Sequence, residues 1–185
     1  TSLVADTPQT NSFTANAQYQ FFVLTVPPGG HLRVTLQDLD QQGANELYLR
    51  RGALPSPGAY DYRHKVNGAS SQTILAPDAG AGTWYILAYN AAGPVPGEYS
   101  LQAQFSSGPA LESVTPAALG NSVPGTVILE GAGFTPDTTV AVVSGGSSYP
   151  ATEVSVVSSS RMMVELDLTS VPVGPGLLRA TSGAG

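Results

Sequence analysis

The stretch GTWYILAYN (residues 82–90) contains the single tryptophan of the chain, and it decides the predicted fold. Apolar and aromatic residues run through it without a break, as in a β-strand whose neighbouring side chains point to opposite faces of a sheet. The alternation divides the stretch into one face with Trp84 and Ile86 and another with Tyr85 and Tyr89. We expect the tryptophan face to lie in the core of a β-sandwich.

Other segments repeat the two-residue period. HLRVTLQD (residues 31–38), GEYSLQAQF (97–105) and RMMVELDL (161–168) alternate apolar and polar residues, which predicts strands buried on one face. QYQFFVLTV (18–26) has apolar residues at both parities, which predicts a strand covered on both sides. SGGSS (144–148) is typical of a hairpin tip.

Composition excludes several classes of protein. The chain has 185 residues, of which 11% are charged, and its 21 Gly and 15 Pro lie between short apolar runs, so we expect many strands and no long helix. The net charge of −6 argues against nucleic acid as a partner, since phosphate backbones require clustered Lys and Arg. No apolar run approaches the roughly 20 residues of a membrane span. The absence of cysteine excludes disulfides and thiolate chemistry.

The composition changes at SSGPA (residues 106–110), beyond which aromatic residues become rare. We therefore predict an all-β chain of two tandem β-sandwiches, with the first at residues 13–107 and the second at 108–185. Residues 1–12 show no sustained periodicity and are predicted to form a linker or a loose first strand. A start without Met or a signal sequence, and a Gly/Ala/Ser tail, lead us to expect a fragment of a longer polypeptide.

Motifs in both halves are similar to known families. LYLRRGALPSPGAYDYR, followed by GTWYILAYN and GEYSLQAQF, resembles the bacterial pre-peptidase C-terminal domain, a jelly-roll-like β-sandwich appended to secreted peptidases and other exported proteins. This resemblance covers about residues 13–106. PALESVTPAALGNSVPGTVILEGAGF resembles the opening of the IPT/TIG family of immunoglobulin-like domains, and that match runs from about Pro109 to the end.

Both resemblances imply a module without catalytic activity. We expect a structural and interaction module of a large bacterial protein that is secreted or displayed on the cell surface, with the neighbouring domains of the parent chain as partners. One alternative is a module that binds an extracellular polysaccharide, a matrix protein or another collagen-like polymer. A second alternative is the C-terminal accessory region of a secreted peptidase.

Tyrosines and arginines of the first domain carry the binding hypothesis, because aromatic rings offer a large contact area at low entropic cost. The candidate binding residues are Tyr48, Arg50, Tyr60, Tyr62, Tyr85 and Tyr89. Their face is either open to a ligand or covered by the long Pro/Gly/Tyr segment that follows residue 52. The neighbouring basic residues are Arg50, Arg51, Arg63, His64 and Lys65. They either meet an acidic polymer, such as a sulfated or uronic polysaccharide, or form surface pairs with Asp61, Glu46 and other acidic neighbours.

A second hypothesis concerns the acidic segment QDLDQQGANE (residues 37–46). Asp38, Asp40 and Glu46 are candidate calcium ligands, since calcium accepts carboxylates and backbone carbonyls from one loop. The alternative is that these side chains cap turns. Members of the pre-peptidase family often carry an acidic pair before the LY motif, where this chain has Asn45 and Glu46. No cofactor is required by the sequence, and calcium is the one candidate.

Catalytic residues are not apparent. A serine nucleophile needs a histidine oriented by a carboxylate, and the chain has two histidines. His31 falls on the predicted polar face of its strand, and His64 lies between Arg63 and Lys65. We therefore predict that this chain is not an enzyme.

Overall fold

The structure is a computed structural model, which describes residues 1–182. The strands in chain order are β1 (Gln9–Phe13), β2 (Gln18–Val26), β3 (His31–Asp38), β4 (Ala44–Arg51), β5 (Tyr62–His64), β6 (Gln72–Ala76), β7 (Gly82–Ala92), β8 (Gly97–Ser106), β9 (Ala110–Thr115), β10 (Gly125–Ala132), β11 (Thr139–Ser144), β12 (Ser147–Pro150), β13 (Glu153–Ser158), β14 (Arg161–Leu166) and β15 (Leu177–Thr181). The described residues contain no helix, and the prediction of an all-β chain folded as β-sandwiches is confirmed. None of residues 1–182 belongs to a helix able to cross a membrane.

The chain divides into two compact units, of which unit 1 is Thr1–Ser106 and unit 2 begins at Ser107. Unit 1 contains two antiparallel four-stranded sheets, in the orders β1-β8-β3-β6 and β2-β7-β4-β5. Its core lies between the sheets and is filled by side chains from both. Strand β7 is central in the second sheet, where it pairs with β2 on one side and β4 on the other.

Alternation explains which side chains form this core. Trp84 and Ile86 of β7 are buried in it, as the opening stretch predicts. On β8, Tyr99 and Leu101 are fully buried, while the intervening positions are more accessible. The indole Nε1 of Trp84 donates a hydrogen bond to the carbonyl of Gly80, 2.9 Å away, so the polar atom of the ring is satisfied inside the core.

Two expectations about unit 1 are wrong. Strand β2 is covered on one face, because Phe22 is buried in the core while Phe21 is exposed on the opposite face. His31 is buried although it lies on the predicted polar face of β3. Residues 1–12, expected to form a linker or a loose first strand, supply buried Leu3 and most of strand β1.

Unit 2 pairs a four-stranded sheet, β13-β14-β10-β9, with a three-stranded sheet, β12-β11-β15. Met162 and Val164 of β14 are fully buried between the sheets, and Met163 is exposed, as the alternation predicts. The hairpin predicted at residues 144–148 connects β11 and β12, and Gly145 and Gly146 both have positive φ there, at 57° and 82°. Glycine adopts this conformation without the steric penalty of a Cβ atom.

Candidate functional site

The outer side of the sheet β2-β7-β4-β5 is the candidate site. Because Trp84 and Ile86 point into the core, the residues between and beside them point outward. The register places Tyr89 of β7 opposite Tyr19 of β2, and Tyr85 opposite Arg50 of β4. Aromatic and basic side chains from three strands therefore share this side, which we call the outer face.

At the β2 side of the outer face, three rings form a cluster. The ring centroids of Tyr19 and Tyr89 are 4.7 Å apart, and those of Tyr19 and Phe21 are 6.4 Å apart. Tyr19 is 48% exposed and Phe21 is 38% exposed. Large apolar side chains that remain open to solvent side by side are a typical feature of contact surfaces.

Beneath these rings, the outer face has an apolar layer of its own. Leu87 is 0% exposed although it points away from the core, and its cross-strand neighbours are Phe21 and Tyr48. Tyr48 is also buried, at 1% exposed. This packing fixes the positions of the strands that carry the outer rings.

The segment before β5 returns over the outer face and covers Tyr48. The ring of Tyr60 lies 5.5 Å from the ring of Tyr48, and the guanidinium carbon of Arg63 lies 5.3 Å from the Tyr60 ring centroid. The Tyr48 hydroxyl donates a hydrogen bond to Glu46, whose carboxylate also pairs with Lys65 at 2.8 Å. Burial, reinforced by the hydrogen bond to the Glu46 carboxylate, raises the pKa of Tyr48 well above its usual range, so this hydroxyl stays protonated and donates.

The structure brings together most of the predicted binding residues. Five of them lie on the outer face or over it: Tyr48, Arg50, Tyr60, Tyr85 and Tyr89. Tyr62 does not, because it pairs with Leu49 and packs against the core, 6.1 Å from the ring of Trp84. Burial in this position raises the pKa of Tyr62.

Sequence reasoning missed Tyr19 and Phe21, and it named Arg63 only as one of the neighbouring basic residues. The signal for the first two lies in QYQFFVLTV, where the parity that places Phe22 inside places Tyr19 and Phe21 outside. The sequence does not indicate the position of Arg63 beside Tyr48. Its place depends on the pairing of β5 with β4, in which Arg63 lies opposite Tyr48.

The outer face has polar groups available to a ligand. The hydroxyls of Tyr19, Tyr60, Tyr85 and Tyr89 make no hydrogen bond within residues 1–182. Neither Arg50 nor Arg63, the two arginines of the outer face, forms an ion pair with a carboxylate among the same residues. Arg50 makes one long contact, 3.5 Å, to the carbonyl of Leu54.

The predicted calcium ligands do not converge on one point. The carboxylate of Asp38 accepts hydrogen bonds from the backbone of Asp40 at 3.0 Å and from the side chain of Asn45 at 2.8 Å. Asp40 accepts one from the backbone of Glu98 at 3.0 Å, and Glu46 binds Tyr48 and Lys65 on the outer face. No group of three His, Cys, Asp or Glu side chains within residues 1–182 is placed to hold a metal ion. Calcium binding stays a prediction, and it would require these hydrogen bonds to be exchanged.

Neither histidine has the contacts of a catalytic base. The Nδ1 atom of His31 is buried without a hydrogen-bond partner, and burial lowers the pKa of this side chain. The Nδ1 atom of His64 accepts a long hydrogen bond, 3.4 Å, from the backbone of Thr73. In a catalytic triad, by contrast, one ring nitrogen donates to a carboxylate and the other contacts the nucleophile.

Unit 2 contains a cavity of about 770 Å³. Its lining is mostly aliphatic and comes from the loops at residues 116–121 and 171–176 and from strands of both sheets, namely β9, β10, β11, β14 and β15. Leu111 and Val114 on β9 are half-buried at its rim, and Leu177 on β15 is exposed. The described lining presents Glu112 as its charged side chain, so the cavity offers little polar chemistry.

Comparisons with known proteins find similarity among solved structures. No family model matches the chain, and no curated protein matches it. Among solved structures, the chain is similar to the 1.0 Å crystal structure of the pre-peptidase C-terminal domain of collagenase from Bacillus anthracis. The sequence identity is 14%, the TM-score is 0.46, and the match covers 56% of this chain and 92% of that chain. A similarity at this level does not assign a function.

Proposed function

We propose that this chain is a non-catalytic structural and interaction module of a larger bacterial protein that is secreted or displayed on the cell surface. The outer face of unit 1 is its contact surface for an extended polymer, either a polysaccharide or a collagen-like protein. The observation that carries the proposal is the row of partly exposed rings, Tyr19, Phe21, Tyr85 and Tyr89, on one side of a single sheet.

The chemistry of the outer face supports polymer binding. Tyr and Arg are enriched where proteins bind partners, because each combines a broad contact area with hydrogen-bond donors. The rings project from paired strands, and the buried Leu87 and Tyr48 beneath them hold the strands in place. A surface held in this way loses little conformational entropy when a ligand binds.

The sequence features of the whole chain support its placement outside the cell. Two sandwich units in tandem, low charge and the motif resemblances described above are typical of bacterial exoproteins. Neighbouring domains of the parent chain are then the nearest partners.

A second candidate is an accessory region of a secreted peptidase. The motif order in the first unit, which resembles pre-peptidase C-terminal domains, favours it. The complete coding sequence of the parent protein tests this candidate, since it requires a peptidase domain in the same chain. A long array of similar modules without such a domain would contradict it.

The polymer-binding proposal is tested with an array of glycans and matrix proteins. We expect the wild-type chain to bind at least one polymer, and the Tyr85→Ala/Tyr89→Ala variant to lose about tenfold or more in affinity, since each ring supplies contact area at the surface. Gln104→Ala, an exposed position on the other sheet of unit 1, is the matched control.

Fluorescence of Trp84 verifies that each variant is folded, because unit 1 contains the only tryptophan of the chain. Binding to no polymer, or equal binding by the wild type and the double-tyrosine variant, would contradict the proposed contact surface.

A further inference from the structure

Arg50 and Arg63, on the β4 and β5 side of the outer face, indicate the chemical class of the polymer that binds there. We propose that it is a polysaccharide that contains uronic acids, with its carboxylates bound by Arg50 and Arg63 and its sugar rings resting on the tyrosines. This inference rests on the function proposed above and names the class of ligand.

Charge complementarity is the first argument. Arg50 and Arg63 lie on adjacent strands, β4 and β5, and both face outward. The third cation of the face, Lys65, is neutralised by Glu46 at 2.8 Å, whereas the two guanidinium groups have no carboxylate partner within residues 1–182. Although the chain has a net charge of −6, these two guanidinium groups stand unpaired beside the aromatic rings of the outer face within the described residues.

The geometry of the arginines is the second argument. The guanidinium of Arg63 lies 5.3 Å from the ring centroid of Tyr60, which holds it near the surface by a cation–π interaction. A guanidinium binds a planar carboxylate through two parallel hydrogen bonds, and its fork is arranged for this before binding. A polymer with carboxylates repeated along its length can place one carboxylate on Arg50 and another on Arg63.

The third argument separates a sugar polymer from an acidic peptide. Extended peptides commonly bind to sheets by pairing with a free strand edge. Here β7 is paired on both sides, by β2 and β4, and β4 is itself paired with β5, so the centre of the outer face offers side chains rather than backbone groups. Rings with free hydroxyls, at Tyr19, Tyr60, Tyr85 and Tyr89, suit the apolar faces and hydroxyls of sugars.

Binding to polygalacturonate, alginate and hyaluronan tests the inference, with methyl-esterified polygalacturonate as the probe that keeps the backbone and removes the charge. We expect at least one of the three acidic polymers to bind, and affinity to decrease as salt rises. For polygalacturonate, esterification is expected to weaken binding about tenfold or more, because it removes the charge-assisted hydrogen bonds.

The protein variants separate the arginines from a general charge effect. Arg50→Gln/Arg63→Gln is expected to weaken binding of the acidic polymer about tenfold or more. Arg161→Gln, a surface arginine of unit 2 whose loss changes the net charge in the same direction, is expected to leave the affinity unchanged.

The inference is wrong if none of the three acidic polymers binds, or if the esterified and acidic forms of polygalacturonate bind equally. It is also wrong if dextran sulfate or poly-glutamate binds more strongly than the uronic acid polymers. Finally, it is wrong if the Arg50→Gln/Arg63→Gln variant binds the acidic polymer as well as the wild type does. If neutral glycans bind and Tyr85→Ala/Tyr89→Ala abolishes that binding, the uronic acid assignment is wrong while the proposed contact surface stands. If no polymer of any charge binds, both proposals are wrong.

Discussion

The two units share a two-sheet architecture and differ in what fills the space between the sheets. The core of unit 1 contains the buried rings of Phe13, Phe22, Trp84 and Tyr99, and the centroids of Phe13 and Tyr99 stack at 4.4 Å. The core of unit 2 is aliphatic apart from Phe134, and a cavity of about 770 Å³ opens beside it. Each aromatic side chain buries roughly 150–250 Å², so a few rings decide whether the interior is filled.

The comparison shows that alternation of apolar and polar residues is enough to form a two-sheet sandwich. The volume of the buried side chains then decides whether the space between the sheets is filled. Unit 1 also buries a second apolar layer, Leu87 and Tyr48, on its outer face. In unit 2, half-buried residues such as Val114 and Leu168 contact the core and the cavity at once. We therefore expect unit 1 to respond to changes in core volume more sharply than unit 2.

The largest effect is expected from truncation of the unit 1 core. Ile86→Ala removes a fully buried side chain and should lower the free energy of unfolding by about 2–5 kcal/mol, because it leaves a cavity as well as removing apolar contacts. Denaturant unfolding followed by Trp84 fluorescence measures this change.

Leu168→Ala, at the cavity of unit 2, is the matched variant. It should cost less than about 2 kcal/mol in unfolding followed by far-UV circular dichroism, because a side chain already beside open space loses fewer contacts. Equal costs for the two variants would remove the contrast between the units.

The next effect concerns the layer on the outer face of unit 1. Tyr48→Phe removes the hydroxyl that donates to Glu46 and should destabilise unit 1 by about 1.5–3 kcal/mol, the usual contribution of a hydrogen bond to a charged group. Tyr89→Phe, whose hydroxyl has no partner within residues 1–182, should change stability by less than about 0.5 kcal/mol. If the two variants lose the same stability, the hydrogen bond to Glu46 contributes nothing.

Adding one methylene group to a core side chain should lower the stability of unit 1 and raise the stability of unit 2. Val34→Ile in unit 1 enlarges a fully buried side chain and should destabilise by about 1 kcal/mol or more, because a filled core has no room for it. Val114→Ile in unit 2 points toward the cavity and should stabilise by up to about 0.8 kcal/mol. The same sign in thermal unfolding of both variants would show that the cavity does not admit extra volume.

The smallest effect is expected from pH. The pKa of His31 lies below 6.5 in the folded unit because burial, and secondly the charge of Arg33, disfavour the imidazolium, although Asp78 acts in the opposite direction. The unfolded chain therefore binds a proton more readily, so the stabilisation is complete above pH 6.5 and declines as the pH falls below it.

We expect the Trp84 unfolding midpoint to fall on acidification from pH 7 to pH 5, and to fall less in His31→Gln. An identical pH dependence in this variant would show that another group causes it.

The strand pattern could be predicted because one face of each strand meets a core, and alternation then fixes which side chains are inside. This holds for Trp84 and Ile86 on β7 and for Met162 and Val164 on β14. The same rule places Tyr48 on the outer side of β4, but parity alone cannot say that Tyr60 covers it. That contact depends on a segment which leaves β4 and returns.

Two features of the candidate site depend on contacts that the sequence does not show. The sequence predicts Tyr62 on the outer face because it lies in the same segment as Tyr60, but its pairing with Leu49 turns it toward the core. The candidate calcium ligands are adjacent in sequence, but Asp38 ends a core-facing series on β3 while Glu46 faces outward from β4. Contacts between strands, which one sequence does not reveal, decide both cases.

The short strand β5 also bears on how such modules behave when they are crowded together. Tyr62–His64 forms an edge of its sheet, spans three residues and carries Arg63, with Lys65 directly after it. Short edges with positive charge resist pairing with the edge strand of another molecule. The arginine that we assign to ligand binding thus also protects this edge of unit 1 against aggregation, and its replacement by an apolar residue would be expected to reduce solubility before it reduced stability.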